Sequence, residues 1–434
     1  MNIDELKPIF AGKRCAILGI GREGRVWLEL LQSLGVCAEI AAADIKPQEI
    51  AGVTGLYGED YLERAAEYDL ILQSPGVIIK DRYDERTKAK ILTQTELLLR
   101  LRPCRVIGVT GTKGKSTTSS LIAHFLTACG INNMLIGNIG VPPLARLSEM
   151  NADMVAVCEM SCHQLEFARH SPDTAVLLNI FPEHLDHYVS FEAYAAAKRN
   201  IYRHQRAGDV CIINADCVED APAGRLLTAA LGKRADVCAD NGSVFVCGRE
   251  ISAREIRTQL RGRHNLYNIA VALAAAQTVG ADTDRCLASL PDFKGLEHRL
   301  EFVAEKNGVE YINDSICTIP EAAVAAVKAF DGGADCLILG GMDRGIPYDV
   351  LGDFLNTGAV ANVILLPDSG RRIGALVTNP AVNLVYADNM EQAVAQAARV
   401  ARRRVILAPA SASYGFYKNF EERGRHFKAL VQAL

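Results

Sequence analysis

An α/β fold with mainly parallel sheets is predicted by three observations. Short β-like runs alternate with Ala- and Leu-rich helical runs from end to end. Glycine-rich turns follow two of those strands, and 434 residues is about three domains' worth at roughly 150 residues each. In the first stretch, residues 15–20 read as a strand, 26–34 as a helix closed by Gly35, and 38–43 as a second strand. Pro75-Gly76 and the charged DRYDER segment then break the pattern, and a boundary is expected near 92–104, where Pro103 precedes a fresh strand over 106–109. The second stretch runs to about Gly295 and carries the densest polar motifs. Asn241-Gly242 and the β-like VFVCG late in it predict an antiparallel patch. The third starts near His298 and cycles through YIND, PEAAVAAVKAF, CLILGG, YDVLGDFL, NVILLP, RRIGALV, NLVYAD, MEQAVAQAARVA, RVILAPA and a last helix, strand and helix by turns as in a doubly wound nucleotide-binding fold.

Composition narrows the function classes. Hydrophobic residues are 49%, charged residues 23% and aromatics 6%, ordinary values that exclude disorder, collagen and coiled coil. With 47 basic against 51 acidic residues and a net charge of -4, no global basic field attracts nucleic acid or an anionic membrane, so an anionic ligand must be held locally. No apolar run approaches the roughly 18 residues of a membrane span. The opening MNIDELKPIF carries Asp4 and Glu5 and lacks a secretory core, so a cytoplasmic protein is expected. Thirteen scattered cysteines without C-x-x-C zinc spacing read as small buried hydrophobes in a reducing compartment.

The strongest single motif is Gly108-Val-Thr-Gly111-Thr112-Lys113-Gly114-Lys115-Ser116-Thr117, between a strand and a helix whose Leu121, Ile122, Phe125 and Leu126 form an apolar stripe. It reads as a phosphate-binding loop: glycines let backbone amides approach the phosphates, Lys115 contacts β/γ oxygens and Ser116 can ligate Mg²⁺. The spacing departs from the usual pattern by placing Val at 109 and the glycine at 111. Nearer the amino terminus, Gly19-Ile-Gly21-Arg22-Glu23-Gly24 follows a strand and Asp44 ends the next, a dinucleotide-type fingerprint. NAD(P), another nucleotide or nucleotide sugar, and purely structural glycines all remain open for it. Glu159 in VAVCEMSCHQLE is a candidate Mg²⁺ ligand at a strand end. His184 in NIFPEHLDHY, beside Glu183 and Asp186, reads equally as a ligand or a structural histidine. Lys198 in FEAYAAAKRNIY reads by default as a solvated lysine.

Taken together, and in chain order, GVTGTKGKST, GNIG, EMSCHQLE, NIFPEHLDHY, the Lys198 segment, GRHNLYN, GLEHRLE, YINDS, LGGMDRG and APASASYGFYKNFEERG resemble the Mur ligase family over the whole chain. The resemblance implies three domains: a Rossmann-like amino-terminal UDP-substrate domain over 1–95, a P-loop ATPase central domain over 96–297, and a Rossmann-like carboxy-terminal domain over 298–434 that binds ATP and the incoming amino acid. The implied activity is ATP-dependent addition of D-glutamate to UDP-N-acetylmuramoyl-L-alanine through an acyl phosphate, in peptidoglycan precursor synthesis.

The resemblance also implies residue roles. Lys115 stabilises the moving phosphoryl charge, Ser116 and Glu159 hold one Mg²⁺, and His184 helps hold a second. Lys198 matches a lysine that is carbamylated, supporting the second metal, which replaces the solvated default. ATP falls to Gly111, Thr112, Lys113, Gly114, Lys115, Ser116 and Thr117, with Asn265 and Asn268 at the adenine and Arg299 and Asp314 at phosphate and ribose. The UDP substrate falls to Gly21, Arg22, Glu23, Asp44, Ser74, Pro75, Gly76 and Asn138. Thr318, Arg344, Ser413 and Phe420 are left for the amino acid, because Ile316 stands where the family usually has a lysine in N-D-S-K-A-T. That departure keeps open a related ligase using L-glutamate or another amino acid. A folylpolyglutamate-type ligase, a nucleotide-dependent regulatory protein and a dehydrogenase are the remaining alternatives. A monomer is expected.

Overall fold

The computed structural model describes the chain apart from residues 184–186, 241, 253, 261 and 331. Two compact units result: Met1–Arg257 with Arg263–Leu290, and Thr258–Gly262 with Pro291–Leu434. Among the described residues the first unit holds two sheets and the second unit one.

The first sheet comprises β1 (Arg14–Leu18), β2 (Glu39–Asp44), β3 (Thr54–Tyr57), β4 (Leu70–Gln73) and β5 (Ile91–Leu92), all parallel, in the order β3-β2-β1-β4-β5. Cys15 to Leu18 are wholly buried, as a central strand covered on both faces requires. The helix Arg22–Leu34 buries Trp27, Leu30, Leu31 and Leu34, a stripe at helical spacing, and ends on Gly35 in the left-handed region. Where a boundary was expected near 92–104, the short helix Gln94–Leu101 is capped by the Thr93 hydroxyl. Its Leu97, Leu98 and Leu99 enter the same core as Trp27 of the helix Arg22–Leu34 and Ile136 and Cys158 of the second sheet.

The second sheet comprises β6 (Arg105–Thr110), β7 (Asn133–Gly137), β8 (Val155–Glu159), β9 (Thr174–Leu177), β10 (Val210–Asn214), β11 (Arg225–Leu231), β12 (Val237–Asp240), β13 (Ser243–Val246) and β14 (Arg249–Ser252). Its order is β14-β13-β12-β11-β10-β9-β6-β8-β7. Strands β6 to β12 pair in parallel and β12-β13-β14 pair antiparallel, where the sequence predicts an antiparallel patch; Asn241 of the expected turn lies outside the described residues. The P-loop strand β6 lies between β8 and β9, so its carboxyl end opens beside Glu159. The helix Arg263–Gln277 is buried from Tyr267 through Ala276, its alanines allowing close approach to the P-loop helix Lys115–Ala128.

In the second unit, β15 (Glu301–Lys306), β16 (Val309–Asn313), β17 (Cys336–Gly341), β18 (Asn362–Asp368), β19 (Asn383–Tyr386) and β20 (Arg404–Leu407) form the order β15-β16-β20-β17-β18-β19. Among the described residues only β15 is antiparallel in this sheet, and β20 returns between β16 and β17 to make the topological switch of a doubly wound sheet. No helix among the described residues is long and apolar enough to cross a membrane.

Candidate active site

The phosphate loop spans the end of β6 and the helix Lys115–Ala128. Gly114 takes φ +89°, and a Cβ there would sit 2.8 Å from the Asn268 Oδ1, so glycine is required by both backbone and packing. The loop is clamped from β9's end: the Lys113 amide donates to Asn179 Oδ1 at 2.8 Å and the Asn179 side chain donates back to the Lys113 carbonyl at 3.0 Å. The Thr112 hydroxyl meets Tyr194 Oη at 2.8 Å and accepts from the Phe181 amide at 2.9 Å, so it is committed to holding the loop.

Two amines converge on one carbonyl. Lys115 Nζ donates to Gly111 O at 2.8 Å and Thr112 O at 3.0 Å, and Lys198 Nζ donates to Gly111 O at 3.0 Å. Lys198 is 1% exposed on the helix Phe191–Arg203, with its amine 4.9 Å from the Tyr194 ring centroid, one helical turn away. Burial first, and the Lys115 charge second, pull the Lys198 pKa down to about 8.

Glu159 is also 1% exposed, at the end of β8 in register with Val109 of β6 and Gly137 of β7. Its Oε1 accepts from the Asn138 side chain at 2.7 Å, and its Oε2 is buried with no hydrogen-bond partner among the described residues. A sealed, unpaired carboxylate oxygen is costly unless a cation completes it, so this donor fits a hard metal ion. Among the described residues no cluster of three or more His, Cys, Asp or Glu side chains forms. This is no objection for Mg²⁺, which takes one or two protein ligands plus waters and phosphates. His184 lies outside the described residues.

A cavity of about 1260 Å³ opens at the carboxyl ends of the first sheet and reaches Asn138. Gly21, Arg22, Glu23, Asp44, Ser74, Pro75, Gly76 and Asn138 all line it. A Cβ at Gly24 would lie 2.0 Å from the Gly19 carbonyl oxygen, so that glycine lets helix and strand pack closely. The Ser74 hydroxyl ties the turn to Gly19 O at 2.7 Å, and Asp44 accepts from the Ile20 amide at 3.2 Å. Among the described residues no side chain caps the helix Arg22–Leu34 at its start, so its first amides have no side-chain acceptor. Burial raises the Glu23 pKa to about 7, and its Oε1 accepts from Gln164 at 2.7 Å.

In the second unit, Asp314 is buried and accepts from the Leu300 amide at 3.0 Å, while Arg299 is exposed. Burial raises the Asp314 pKa to about 6. Arg344 donates to the Thr318 carbonyl at 2.8 Å, the Ser315 hydroxyl donates to the Phe420 carbonyl at 2.8 Å, and Ser413 lines a separate cavity of about 240 Å³.

A model of the Mur ligase middle domain matches residues 109–276. The chain is 32% identical to a Clostridium botulinum (strain Hall) protein named UDP-N-acetylmuramoylalanine--D-glutamate ligase, covering 100% of this chain and 99% of that one. A Koribacter versatilis protein of the same name is 34% identical, with 98% of each chain covered. The chain belongs to the Mur ligase family.

Solved Mur ligases share the fold. The Thermotoga maritima UDP-N-acetylmuramate-alanine ligase MurC superposes with a TM-score of 0.60 at 17% identity, over 97% of this chain and 99% of that one. The Thermotoga maritima MurF ligase in complex with ADP gives 0.59 at 18%, over 99% and 97%. Within this Mur ligase the structure brings Gly111, Lys115 and Lys198 together, joins Asn138 to Glu159, and packs Asn268, bonded to Asn265 at 3.0 Å, against Gly114. The solvated default for Lys198 is overturned, because the alanine-rich helix buries that face. Sequence reasoning missed Asn179 and Tyr194. Tyr194 was findable, since it precedes Lys198 by four residues on one helical face; Asn179 depends on a contact between distant segments.

Proposed function

We propose that this Mur ligase joins D-glutamate to UDP-N-acetylmuramoyl-L-alanine at the expense of ATP, as a cytoplasmic monomer, with the first sheet holding UDP, the second ATP and the third the amino acid. The observation that carries this reading is Asn138: it lines the large cavity and donates to Glu159 beside the phosphate loop, linking a nucleotide-substrate site to a phosphoryl-transfer site.

The open amides of the helix Arg22–Leu34 suit the diphosphate, and Asp44 suits a hydroxyl of the nucleoside. Lys115 exchanges its loop carbonyls for ATP's β/γ oxygens. Asn265 and Asn268 fit the adenine, and Arg299 and Asp314 phosphate and ribose. Glu159 with Ser116 would hold one Mg²⁺ and His184 with Lys198 a second, and bound Mg²⁺ neutralises phosphoryl charge. A Lys198 pKa near 8 leaves part of the amine neutral, with a lone pair that can attack CO₂. An N–C bond forms and one proton leaves, giving a carbamate anion that removes the like-charge clash with Lys115. An oxygen of the alanyl carboxylate then attacks the γ-phosphorus and ADP departs. The glutamate amine attacks the acyl carbon, phosphate leaves with the C–O electron pair, and the nitrogen loses a proton to give the amide.

The test is phosphate release from ATP, Mg²⁺ and UDP-N-acetylmuramoyl-L-alanine with each glutamate enantiomer. Release with D-glutamate alone is expected; release with L-glutamate alone would sink the assignment in favour of the reading that Ile316 motivates.

A further inference from the structure

A cavity of about 260 Å³, apart from the sites described above, is lined by Lys13, Lys90, Arg100 and Arg169. Among the described residues no acidic side chain lines it. Lys13 precedes β1, Leu70 opens β4 and Lys90 precedes β5, so the cavity lies at the amino ends of the first sheet, away from the carboxyl ends where the large cavity opens.

Ion pairing separates these four cations from their neighbours in sequence. Arg14 pairs with Glu39, Lys88 with Glu85, and Arg102 with Asp173 and Asp209, whereas among the described residues Lys13, Lys90, Arg100 and Arg169 form no ion pair. Nearby carboxylates are committed elsewhere. Asp69, beside Leu70, accepts from the Arg14 amide at 2.8 Å, and Glu96 accepts from the Arg169 amide at 2.8 Å and meets His170 Nδ1 at 2.7 Å. Backbone oxygens hold two of the cations in place. Arg169 donates to the Lys88 carbonyl at 2.9 Å and the Ile91 carbonyl at 3.3 Å, and Lys90 Nζ donates to the Ala66 carbonyl at 2.8 Å. A guanidinium has five N–H groups and an ammonium three, so both keep donors for a ligand. Like charges around one cavity repel, and a polyanion among them relieves that repulsion. On a chain of net charge -4 this concentration of positive charge is local.

We infer that this cavity is an anion site outside the substrate sites, taking the phosphates of a small ligand of pyrophosphate size. It is smaller than the roughly 300–1,000 Å³ of pockets for drug-sized molecules, so it suits the phosphates rather than a whole nucleotide. The two arginines can grip phosphate oxygens in bidentate fashion, and the two lysines add compact charges.

Hydrogen exchange of the full chain tests this segment by segment, with inorganic pyrophosphate titrated in one arm and a hexose bisphosphate in the other. Exchange over 88–92 should slow, with protection at the phosphate loop over 111–117 scored separately, and the arm with the lower Kd at 88–92 identifies an inorganic or an organic source. K13E and R100E should each raise that Kd about 10- to 100-fold, while R371E, at an exposed position of the second unit, stays within about twofold. Lys13 and Arg100 make no side-chain hydrogen bond among the described residues, so melting temperatures should stay near the wild-type value. The neutral variant K13Q/R100Q, with a Kd raised about tenfold, keeps the test open should charge reversal disturb folding. Protection confined to 111–117, equal protection by sodium chloride at the same ionic strength, or a Kd unmoved by the substitutions overturns the inference and leaves an adventitious ion only.

Discussion

Lys115 and Lys198 share the Gly111 carbonyl, which places the two amines side by side at the phosphate loop. Lys115→Ala should lower kcat by on the order of 10²–10³-fold, as loss of one transition-state donor does, while leaving the melting temperature nearly unchanged; product formation at the wild-type rate would contradict the phosphoryl role. Lys198→Ala should lose activity and regain part of it when short-chain carboxylates are added, if the proposed carbamate supplies an anion there; a variant of full activity would make the lysine dispensable. Asp314 gives a pH test. Its carboxyl is raised from the usual value to about 6, so between about pH 4 and 6 the unfolded chain ionises first and stability falls as pH rises. Asp314→Asn removes that loss, and urea unfolding at pH 7 should show a gain on the order of 2 kcal/mol alongside weaker ATP binding; no gain would mean the carboxylate is better solvated than its burial implies.

At the scale of elements, the glycine fingerprint separates two kinds of glycine. Gly24→Ala puts a methyl group 2.0 Å from the Gly19 carbonyl and should cost on the order of 3 kcal/mol and disrupt UDP-substrate binding. Gly21→Ala meets no atom within 4 Å and should unfold like the wild type. Equal urea midpoints for the two would remove the packing argument. These elements were legible in the sequence because strand, glycine turn, helix and Asp44 are local and periodic. The P-loop was legible for the same reason, in spite of its displaced first glycine. Asn179 was not read, because it touches the loop from beyond the end of another strand, whereas Tyr194 was within reach of the Lys198 helix spacing.

For the whole molecule, alternating strands and helices made the α/β class plain, but strand order came from pairings across long sequence separations. Nothing in the local pattern says that β20 inserts between β16 and β17 or that β6 lies between β8 and β9. The basic cavity was unread for that reason, since it gathers Lys13, Lys90, Arg100 and Arg169 from segments that lie apart in sequence. The division into two units makes a further prediction. The UDP acceptor alone should slow amide hydrogen exchange at 19–24 and 74–79 and leave β17 to β20 unchanged; protection centred on the second unit would contradict the assignment of the large cavity. The central claim is that a phosphate loop here serves amide formation, and it is tested most directly by following oxygen. With the alanyl carboxylate of UDP-N-acetylmuramoyl-L-alanine labelled with ¹⁸O, D-glutamate and ATP should yield amide product and inorganic phosphate carrying one labelled oxygen per turnover. Phosphate released without label would mean that water, not the carboxylate, takes the phosphoryl group, and would contradict the account.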